Sequence, residues 1–351
     1  MRFAKPGDVC PNKVCPDYQK LQDGQTRRNI IKVGRTKKGV QRYECKTCGR
    51  SFTETLGTLF YNKRTPADEI LETLAALAEG SRISSLTRTK GFKEDTILGW
   101  LREASHHAAA LEEVLLKDFR IQRGQLDGLW AYVRHKGEKS HPETADSGQF
   151  IRSTLLDMDS RLRVARAIEK NETQASQGVF EMLKRRGHPD GPPPTISDGW
   201  GGIDEAMIEV YGLVPEYSGH GRPPTRKKPG SDWLYLQMVK QRDARGHFAG
   251  TKLKVIFGSQ TEVINLLGKS TAYIERSHLT SRLFNARQVR KTLAFSKDVD
   301  CYRSAATWED SYYNWVRPHK SLRLPVQGMP GQVATPYASD GSASDRSCLD
   351  C

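Results

Sequence analysis

Three carboxylates lie where the sequence pattern calls for apolar side chains, and acids in such places can bind divalent cations. Asp127 belongs to the alternating stretch "QLDGLWAYV", on the strand face that also carries Leu129 and Val133. Asp198 ends a short predicted strand at the start of "SDGWGG", and Glu275 lies in the helical stretch "STAYIERSHLTSRLFNAR". An ionised carboxylate on a buried face is costly unless a cation meets it.

The pattern of the helical stretch predicts which way the side chain of Glu275 points. At 100° per residue one narrow arc of the helix carries Ala272, Glu275, Leu279, Leu283 and Ala286. Glu275 is therefore predicted to point inward along an apolar stripe. Three acids that converge would raise one another's pKa, and two Mg²⁺ (or Mn²⁺) ions would keep them ionised. Such an ion pair stabilises the attacking and leaving oxygens of a phosphoryl displacement.

Each acid also has a structural explanation. A buried strand aspartate such as Asp127 can pair with an arginine or cap a neighbouring helix. Asp198 can start the helix that follows it, and Glu275 can form a salt bridge with a nearby arginine. Glu262 in "SQTEVINLLG" competes with Glu275 for the third position, although no apolar arc encloses it in the same way.

Four of the seven cysteines have the spacing of a metal site. They form the pairs Cys10-x4-Cys15 and Cys45-x2-Cys48, which predict one structural Zn²⁺ ion held by four thiolates. A redox pair or unlinked buried thiols are the alternatives. Three further cysteines stand outside this pattern: Cys301, Cys348 and Cys351.

The charge balance favours a polyanionic partner. The 351 residues have a formal net charge of +14, and residues 1–64 hold 15 Lys and Arg against 5 Asp and Glu. A surplus of this size is typical of nucleic-acid binding. No apolar run approaches the roughly 18 residues of a membrane span, so no membrane partner is expected. The N-terminus has no apolar signal core, which predicts a cytoplasmic protein.

Two small modules are predicted ahead of the acids. Residues 1–62 predict a zinc ribbon with a β-hairpin between the cysteine pairs, because they contain too few apolar residues to fold without a metal. Residues 63–118 predict a helix-turn-helix domain, with helices from Pro66, over about 81–89 and from about 94. On its third helix Lys93, Thr96 and Arg102 are candidates for DNA contacts. An ordinary three-helix packing unit is the alternative.

Residues 119–329 predict the domain that positions the acids. Three meandering strands, a crossover helix and a strand ending at Asp198 predict an RNase H-like mixed sheet. Two further strands follow, and the pattern leaves open which of them completes the sheet. Residues 215–232 predict an exposed basic insertion, and residues 330–351 a disordered tail. The fold class is therefore multidomain α+β.

The chain resembles the DDE transposases of bacterial insertion sequences, most closely those of the IS-one type. The resemblance covers about residues 8–325 and depends on six stretches. These are "YECKTCGRSF", "QLDGLWAYV" with Asp127 and Trp130, "SDGWGG" with Asp198, "YIERSHLTSRL" with Glu275 and Arg276, and "RKTLAFSK" with "YNWVRPHKSL". Two positions depart from the family pattern. Gly128 replaces a common second acid, and His278 stands where asparagine is commoner.

The resemblance implies Mg²⁺-dependent cleavage of DNA at the ends of a mobile element, followed by strand transfer into target DNA. Asp127, Asp198 and Glu275 would bind the ions, and the front modules would recognise terminal inverted repeats. Because two DNA ends must be joined, a homodimer or larger assembly is expected. The candidates for phosphate contacts are Arg222, Arg226, Lys227, Lys228, Arg276 and Lys291.

Two other functions remain open from the sequence. A non-catalytic, domesticated regulator would use only the zinc ribbon and the helix-turn-helix, and its DNA binding would survive loss of Asp198. A plain RNase H-like nuclease would cut DNA in the presence of Mg²⁺ and form no joined products.

Overall fold

The protein combines α-helices and β-strands in two compact units, Met1–Glu72 and Thr73–Cys351. The computed structural model describes residues 5, 7–21, 28–136, 143–217, 219, 221–289, 292–325 and 333–334. The strands are β1 (Ile30–Arg35), β2 (Gln41–Cys45), β3 (Ser51–Thr53), β4 (Gly124–Val133), β5 (Gly148–Asp157), β6 (Arg163–Glu169), β7 (Thr195–Asp198), β8 (Tyr235–Arg242), β9 (Phe248–Phe257), β10 (Leu324–Pro325) and β11 (Val333–Ala334). The helices are α1 (Ala67–Ala78), α2 (Ile83–Lys90), α3 (Glu94–Leu115), α4 (Glu172–Arg186), α5 (Ile203–Tyr211), α6 (Gln260–Leu267), α7 (Ala272–Phe284) and α8 (Val299–Trp315).

The smaller unit contains an antiparallel sheet in the order β1-β2-β3. The predicted hairpin is present, since β1 and β2 pair across the turn "TKKG". The core of this sheet is small: Ile30 is buried beside the cysteines, and the rings of Tyr43 and Phe52 stack with centroids 5.7 Å apart. With so few apolar contacts, this sheet is expected to need a metal on the cysteine cluster for most of its stabilisation.

Three helices follow the smaller sheet, near the predicted positions. The turn between α2 and α3 contains Gly91 at φ 77°, a left-handed conformation that favours glycine. On α3 the face that carries Ile97, Trp100 and Leu101 is buried, and this helix packs on α8. Among the helices of the described residues, none has the length and apolar composition needed to cross a membrane.

A six-stranded mixed sheet in the order β6-β5-β4-β7-β8-β9 forms the centre of the larger unit. The meander β4-β5-β6 is antiparallel, as predicted, while β7 pairs parallel to both β4 and β8. β9 adds to the edge antiparallel to β8. Both strands after the basic insertion therefore belong to the sheet, which answers the question that the sequence left open.

Helices cover both faces of this sheet. On one face, α4 and α5 pack through Phe180 and Met207 against Leu126 and Leu155. The opposite face carries Ala131 and Phe150, and α8 packs on it through Val299, Tyr302 and Ala306. Because side chains alternate along a strand, Asp127 lies on the same face as Ala131.

A buried network of ion pairs connects α8 to the sheet. Arg152 of β5 and Arg163 of β6 both contact Glu309 and Asp310, and all four side chains are nearly inaccessible to solvent. Arg152 Nη1 lies 2.9 Å from Glu309 Oε2, and Arg163 Nη1 lies 2.7 Å from Asp310 Oδ1. A second group extends the network to α3 and α4: Arg166, Arg186 and Glu112.

Candidate active site and metal centre

The register of two parallel strands places Asp127 and Asp198 side by side. β4 and β7 pair from Gly124 and Thr195 up to Leu126 and Ser197, and the next residue on each strand is the acid. Asp198 ends β7, while β4 continues past Asp127 to Val133, so both acids lie where the parallel pairing of the two strands stops. Crevices outside the carboxyl ends of parallel strands are common binding sites in open α/β sheets.

The carboxylate of Asp127 is held by two groups. The backbone N–H of Gly128 donates to Oδ1 at 2.7 Å, and His278 Nδ1 lies 3.1 Å from Oδ2. The side chains are largely enclosed, with 18% of Asp127 and 6% of His278 exposed. His278, which the sequence marked as a departure from the family pattern, thus lies directly against the first acid. Its other ring nitrogen, Nε2, is buried and has no hydrogen-bond partner among the described residues.

Asp198 lies in a setting that opposes its charge. Burial and, after it, the nearby charges of Asp127 and Glu275 raise its pKa, which lies at about 6. Lys240 and the backbone N–H of Trp200 act in the opposite direction. Its Oδ1 atom is buried and finds no hydrogen-bond partner within the described part of the chain. A buried carboxylate oxygen without a donor is a ready ligand for a cation.

Two residues of "SDGWGG", Gly202 and Trp200, make close contacts that explain glycines near the acids. Gly202 is the N-cap of α5 at φ 81°, and a Cβ atom there would lie 2.1 Å from Thr173 Oγ1. The ring of Trp200 covers Gly128, where a Cβ atom would lie 1.7 Å from Cη2. Trp200 therefore explains why glycine, and no second acid, follows Asp127 in this chain.

The predicted apolar stripe of α7 does not face inward, and this part of the prediction is wrong. Leu279 is 55% exposed and Leu283 is 73% exposed, on the same side of the helix as the half-exposed Glu275. The buried face carries Ile274, Ser277, His278 and Ser281 instead. Its two serines bind the buried charge network, since Arg163 Nε donates to Ser277 Oγ at 2.8 Å and Ser281 Oγ donates to Glu309 Oε1 at 2.8 Å. Hydrophobic periodicity cannot detect a helix that docks through polar contacts.

Gln125 fixes the start of α7 beside the first acid. It precedes Asp127 by two residues and lies on the same strand face. Its amide donates to the carbonyl of Ser270 at 2.8 Å and accepts from the N–H of Ile274 at 2.8 Å. This clamp holds the first turn of α7, and with it Glu275, next to β4. Gln125 was not predicted as a site residue, although an amide on the same strand face as Asp127, two residues before it, was a usable signal.

Asp198 and Glu275 line one cleft of about 200 Å³. Lys240 of β8 lines it too, with Nζ 3.6 Å from Glu275 Oε1. Thr271 also donates to that carboxylate, at 3.3 Å. Lys240 was not predicted, because its place beside Asp198 follows from the pairing of Asp198 with Met238 on β8. Glu262, the competitor for the third position, is exposed and forms a capping pair with Ser259 at the start of α6.

The three acids offer the kind of ligand atom that divalent ions prefer. Their ligand atoms are not as close together as those of the four cysteines. Carboxylate oxygens are the ligands that Mg²⁺ and Mn²⁺ prefer, and the unpartnered Oδ1 of Asp198 supplies one of them. Across the described residues, the four cysteines are the one group of His, Cys, Asp or Glu side chains that could hold a metal ion as placed. Asp127 and Glu275 raise the pKa of Asp198, but the three acids do not form such a group.

The four cysteines form a compact cluster, as predicted, that could hold a zinc ion. All four sulfur atoms lie within 4.8 Å of one another, with Cys10 and Cys48 Sγ 3.8 Å apart and Cys15 and Cys45 Sγ 3.9 Å apart. Tetrahedral zinc with bonds of about 2.3 Å to sulfur requires edges of about 3.8 Å. The N–H of Asp17 points at Cys15 Sγ from 3.4 Å, which fixes the first knuckle.

The thiols differ in how readily they ionise. Burial raises the pKa of Cys10 to about 12 and also raises that of Cys15. A hydrogen bond from the Asn12 side chain lowers the pKa of Cys48 to about 6. A metal ion must therefore displace protons from buried thiols, so its binding will depend on pH.

The predicted DNA-contacting residues fall into three groups. Six are exposed: Lys93, Thr96, Arg222, Arg226, Lys228 and Arg276. Two are engaged within the protein, since Arg102 donates to Cys301 Sγ at 3.0 Å and Lys227 Nζ lies 2.7 Å from Glu209 Oε1. Lys291 lies outside the described residues, as do Cys348 and Cys351 and all of the predicted tail except residues 333–334.

Comparison with known proteins gave no relative: no family model matches the sequence, and no curated protein matches it.

Proposed function

We propose that the protein is a DNA transposase of the bacterial insertion-sequence type, which cuts and joins DNA strands with Asp127, Asp198 and Glu275. The observation that carries the proposal is the arrangement of these acids. Two lie side by side on adjacent parallel strands, just past the last parallel pair, and the third lines a cleft with the second. The charges of Asp127 and Glu275 raise the pKa of Asp198, which supports a site that needs a cation.

The sheet topology supports an RNase H-like catalytic domain. Counted from β4, the strands lie in the order 3-2-1-4-5, with one more strand at the edge. The first three are antiparallel, and the fourth and fifth run parallel to the first. This is the arrangement that the resemblance to DDE transposases implies, and it brings the first two acids together.

The roles of the side chains follow from their positions. When bound, two Mg²⁺ ions about 3.5–4 Å apart would stabilise the attacking and leaving oxygens of the phosphoryl displacement. Asp127 and Asp198 would hold them, and Glu275 would complete the site from α7. His278 would keep the carboxylate of Asp127 in one orientation. Lys240 would be free to approach a DNA phosphate once metal replaces it beside Glu275.

The front of the chain supports a DNA partner. The cysteine cluster would hold one structural Zn²⁺ ion in a ribbon rich in Lys and Arg. The exposed Lys93 and Thr96 at the start of α3 would contact the terminal inverted repeats of the element. Two ends must be joined, so the active form would be a homodimer or larger assembly on DNA.

The decisive test uses the zinc-loaded, full-length protein with Mg²⁺ and duplex DNA that carries the ends flanking its own gene. We expect cleavage at the ends and covalently joined products. Asp127→Ala should abolish both and leave DNA binding intact. Asp159→Ala is a matched control, because this aspartate lies in an exposed turn and pairs with Arg123. Equal activity of the Asp127→Ala variant and the wild type would refute the proposed site.

One observation favours a second function, that of a non-catalytic DNA-binding regulator. Among the described residues the acids are not drawn into a metal-binding group, whereas the cysteines are. A regulator would bind the element ends tightly and yield no cleaved strands under any metal condition. Nicking without joined products would instead indicate a nuclease.

A further inference from the structure

A cavity of about 410 Å³ in the larger unit contains none of the three acids. It lies between the start of α2 and α3, the segment that follows α7, the stretch 293–298, and α8. Its volume falls within the range of sites that enclose a small organic ligand, about 300–1,000 Å³. Nothing in the proposed chemistry uses it.

Arg287 gives this cavity an unbalanced positive charge. The residue lies in a short 3-10 turn after α7, is partly buried and lines the cavity. Burial lowers its pKa, and of the neighbouring groups only the Cys301 thiol acts in the opposite direction. No carboxylate of the described residues offsets its burial. A partly desolvated guanidinium without an anion is costly, so the position is suited to a ligand that brings one.

Three acids line the cavity: Glu94 is exposed and does not act on the pKa of Arg287, while Glu309 and Asp298 are already engaged. Glu309 Oε1 accepts from Arg163 and Ser281, and Asp298 Oδ1 accepts from the N–H of Cys301 at the start of α8. Neither acts on the pKa of Arg287. The positive charge of Arg287 is therefore not neutralised by an acid that lines the cavity.

The remaining walls suit a planar body attached to the anion. Phe284, Phe295 and Leu98 provide aromatic and aliphatic surface. Arg102, whose guanidinium contacts Cys301 Sγ at 3.0 Å, and the exposed Arg82 add positive charge near the same opening. A single inorganic anion would leave most of the cavity and all of its apolar surface uncovered. A phosphate that carries a ring system would use both features.

We propose that this cavity binds a nucleotide, with its phosphate on Arg287 and its base against Phe295 and Leu98. The nucleotide can belong to a DNA strand or be a free mononucleotide, since both present a phosphate beside a planar base. The inference does not depend on the acids, so it and the proposed transposase activity can fail separately.

The test is calorimetric titration of the zinc-loaded, full-length protein with three probes: inorganic phosphate, deoxyadenosine 5′-monophosphate, and a single-stranded hexanucleotide of thymidine. We expect the mononucleotide to bind more tightly than phosphate alone. Arg287→Met should weaken that binding by about tenfold or more, the usual effect of losing a charge-assisted contact. Arg245→Met is the control, because Arg245 is exposed in the turn between β8 and β9. If Arg287→Met weakens hexanucleotide binding, the nucleotide belongs to a DNA strand. If it weakens only mononucleotide binding, the ligand is a free nucleotide.

The free protein provides a second readout that does not require ligand. Arg287→Met removes an unpaired cation, so its midpoint of thermal unfolding should rise above that of the wild type. The mononucleotide should raise the midpoint of the wild type and not that of the variant. Equal mononucleotide binding by the variant and the wild type would overturn the proposal, as would failure of the mononucleotide and the hexanucleotide to bind at millimolar concentration.

Discussion

The carboxylate of Asp198 links the chemistry of the site to the stability of the fold. Its pKa is raised to about 6 by burial, with Asp127 and Glu275 acting in the same direction. The folded chain therefore binds this proton more tightly than the unfolded chain, where an aspartate titrates near 3.9. Without Mg²⁺, the contribution of Asp198 to stability is fully present below about pH 4 and is lost as the pH rises to about 6.

Asp198→Asn should therefore stabilise the magnesium-free protein at neutral pH. We expect a gain of about 1–2 kcal/mol at pH 7.5, after discounting for the partial exposure of the carboxylate, and a smaller gain at pH 5. Thermal unfolding in magnesium-free buffer measures this, with no chelator added so that any zinc stays bound. Asp159→Asn, a change at an exposed turn, is the control. An equal effect of Asp198→Asn at both pH values would contradict the assigned cause.

Lys240 should compete with divalent ions for the acids, because its ammonium lies beside Glu275 and lowers the pKa of Asp198. Lys240→Ala should bind Mn²⁺ about two- to fivefold more tightly, which is the size of an exposed ion-pair effect. Electron paramagnetic resonance of free Mn²⁺ gives the affinity directly. Lys252→Ala is a matched control: Lys252 of β9 pairs with Val239 of β8, so it lies on the face of the sheet opposite to Lys240. Unchanged or weaker Mn²⁺ binding by Lys240→Ala would remove Lys240 from the site.

The sequence patterns predicted the surroundings of Asp127 and Asp198 correctly and those of Glu275 incorrectly. Asp127 was predicted from strand alternation and Asp198 from a strand end, and both features are local in sequence. The setting of Glu275 depends on which side of α7 docks. That side is chosen by Arg163 and Glu309, which come from distant elements. Contacts of this kind cannot be inferred from the periodicity of one helix.

At the scale of elements, the alternating and helical patterns predicted the meander, the crossover helix α4 and the order of strands up to β7. They did not predict how β8 and β9 join the sheet, because both strands have similar patterns and only pairing distinguishes them. They also missed the buried arginines on β5 and β6, since a charged residue in a strand normally indicates an exposed face. Those arginines are matched by acids on α8.

The attachment of α8 to the sheet should therefore depend strongly on Asp310. Burial alone would raise its pKa, but Arg152 and Arg163 lower it to about 2. The stabilisation is present above about pH 4 and is lost as the pH falls toward 2. Asp310→Asn keeps the volume and leaves buried guanidiniums without their charge partner, so it should cost about 3–5 kcal/mol.

Urea denaturation at pH 7 measures that cost, and the same helix offers a control. Asp300 is 75% exposed and pairs only loosely with Arg303, at 3.9 Å. Asp300→Asn should change stability by less than about 0.5 kcal/mol. Similar losses from the two variants would show that the network contributes nothing beyond an ordinary surface pair.

At the scale of the whole molecule, the two units have different sources of stability. The larger unit has extensive apolar cores on both faces of its sheet. The sheet of the smaller unit packs around the cysteines, Ile30 and two aromatic rings. Its folding should therefore be coupled to metal binding, while the larger unit should fold without metal.

Cys45→Ser should unfold the smaller unit selectively. Cys45 is fully buried and supplies one of the four sulfur atoms, so its loss should reduce bound zinc from about one ion per chain to a small fraction of that. Elemental analysis measures the metal, and calorimetric unfolding should show the transition of the larger unit unchanged. Cys301→Ser is the matched control, since this buried thiol lies outside the cluster on α8. If the Cys45→Ser protein keeps its zinc, or if the wild type contains none, the cysteine cluster is not a structural zinc site. In that case the sheet β1-β2-β3 must be held together by its few apolar contacts alone.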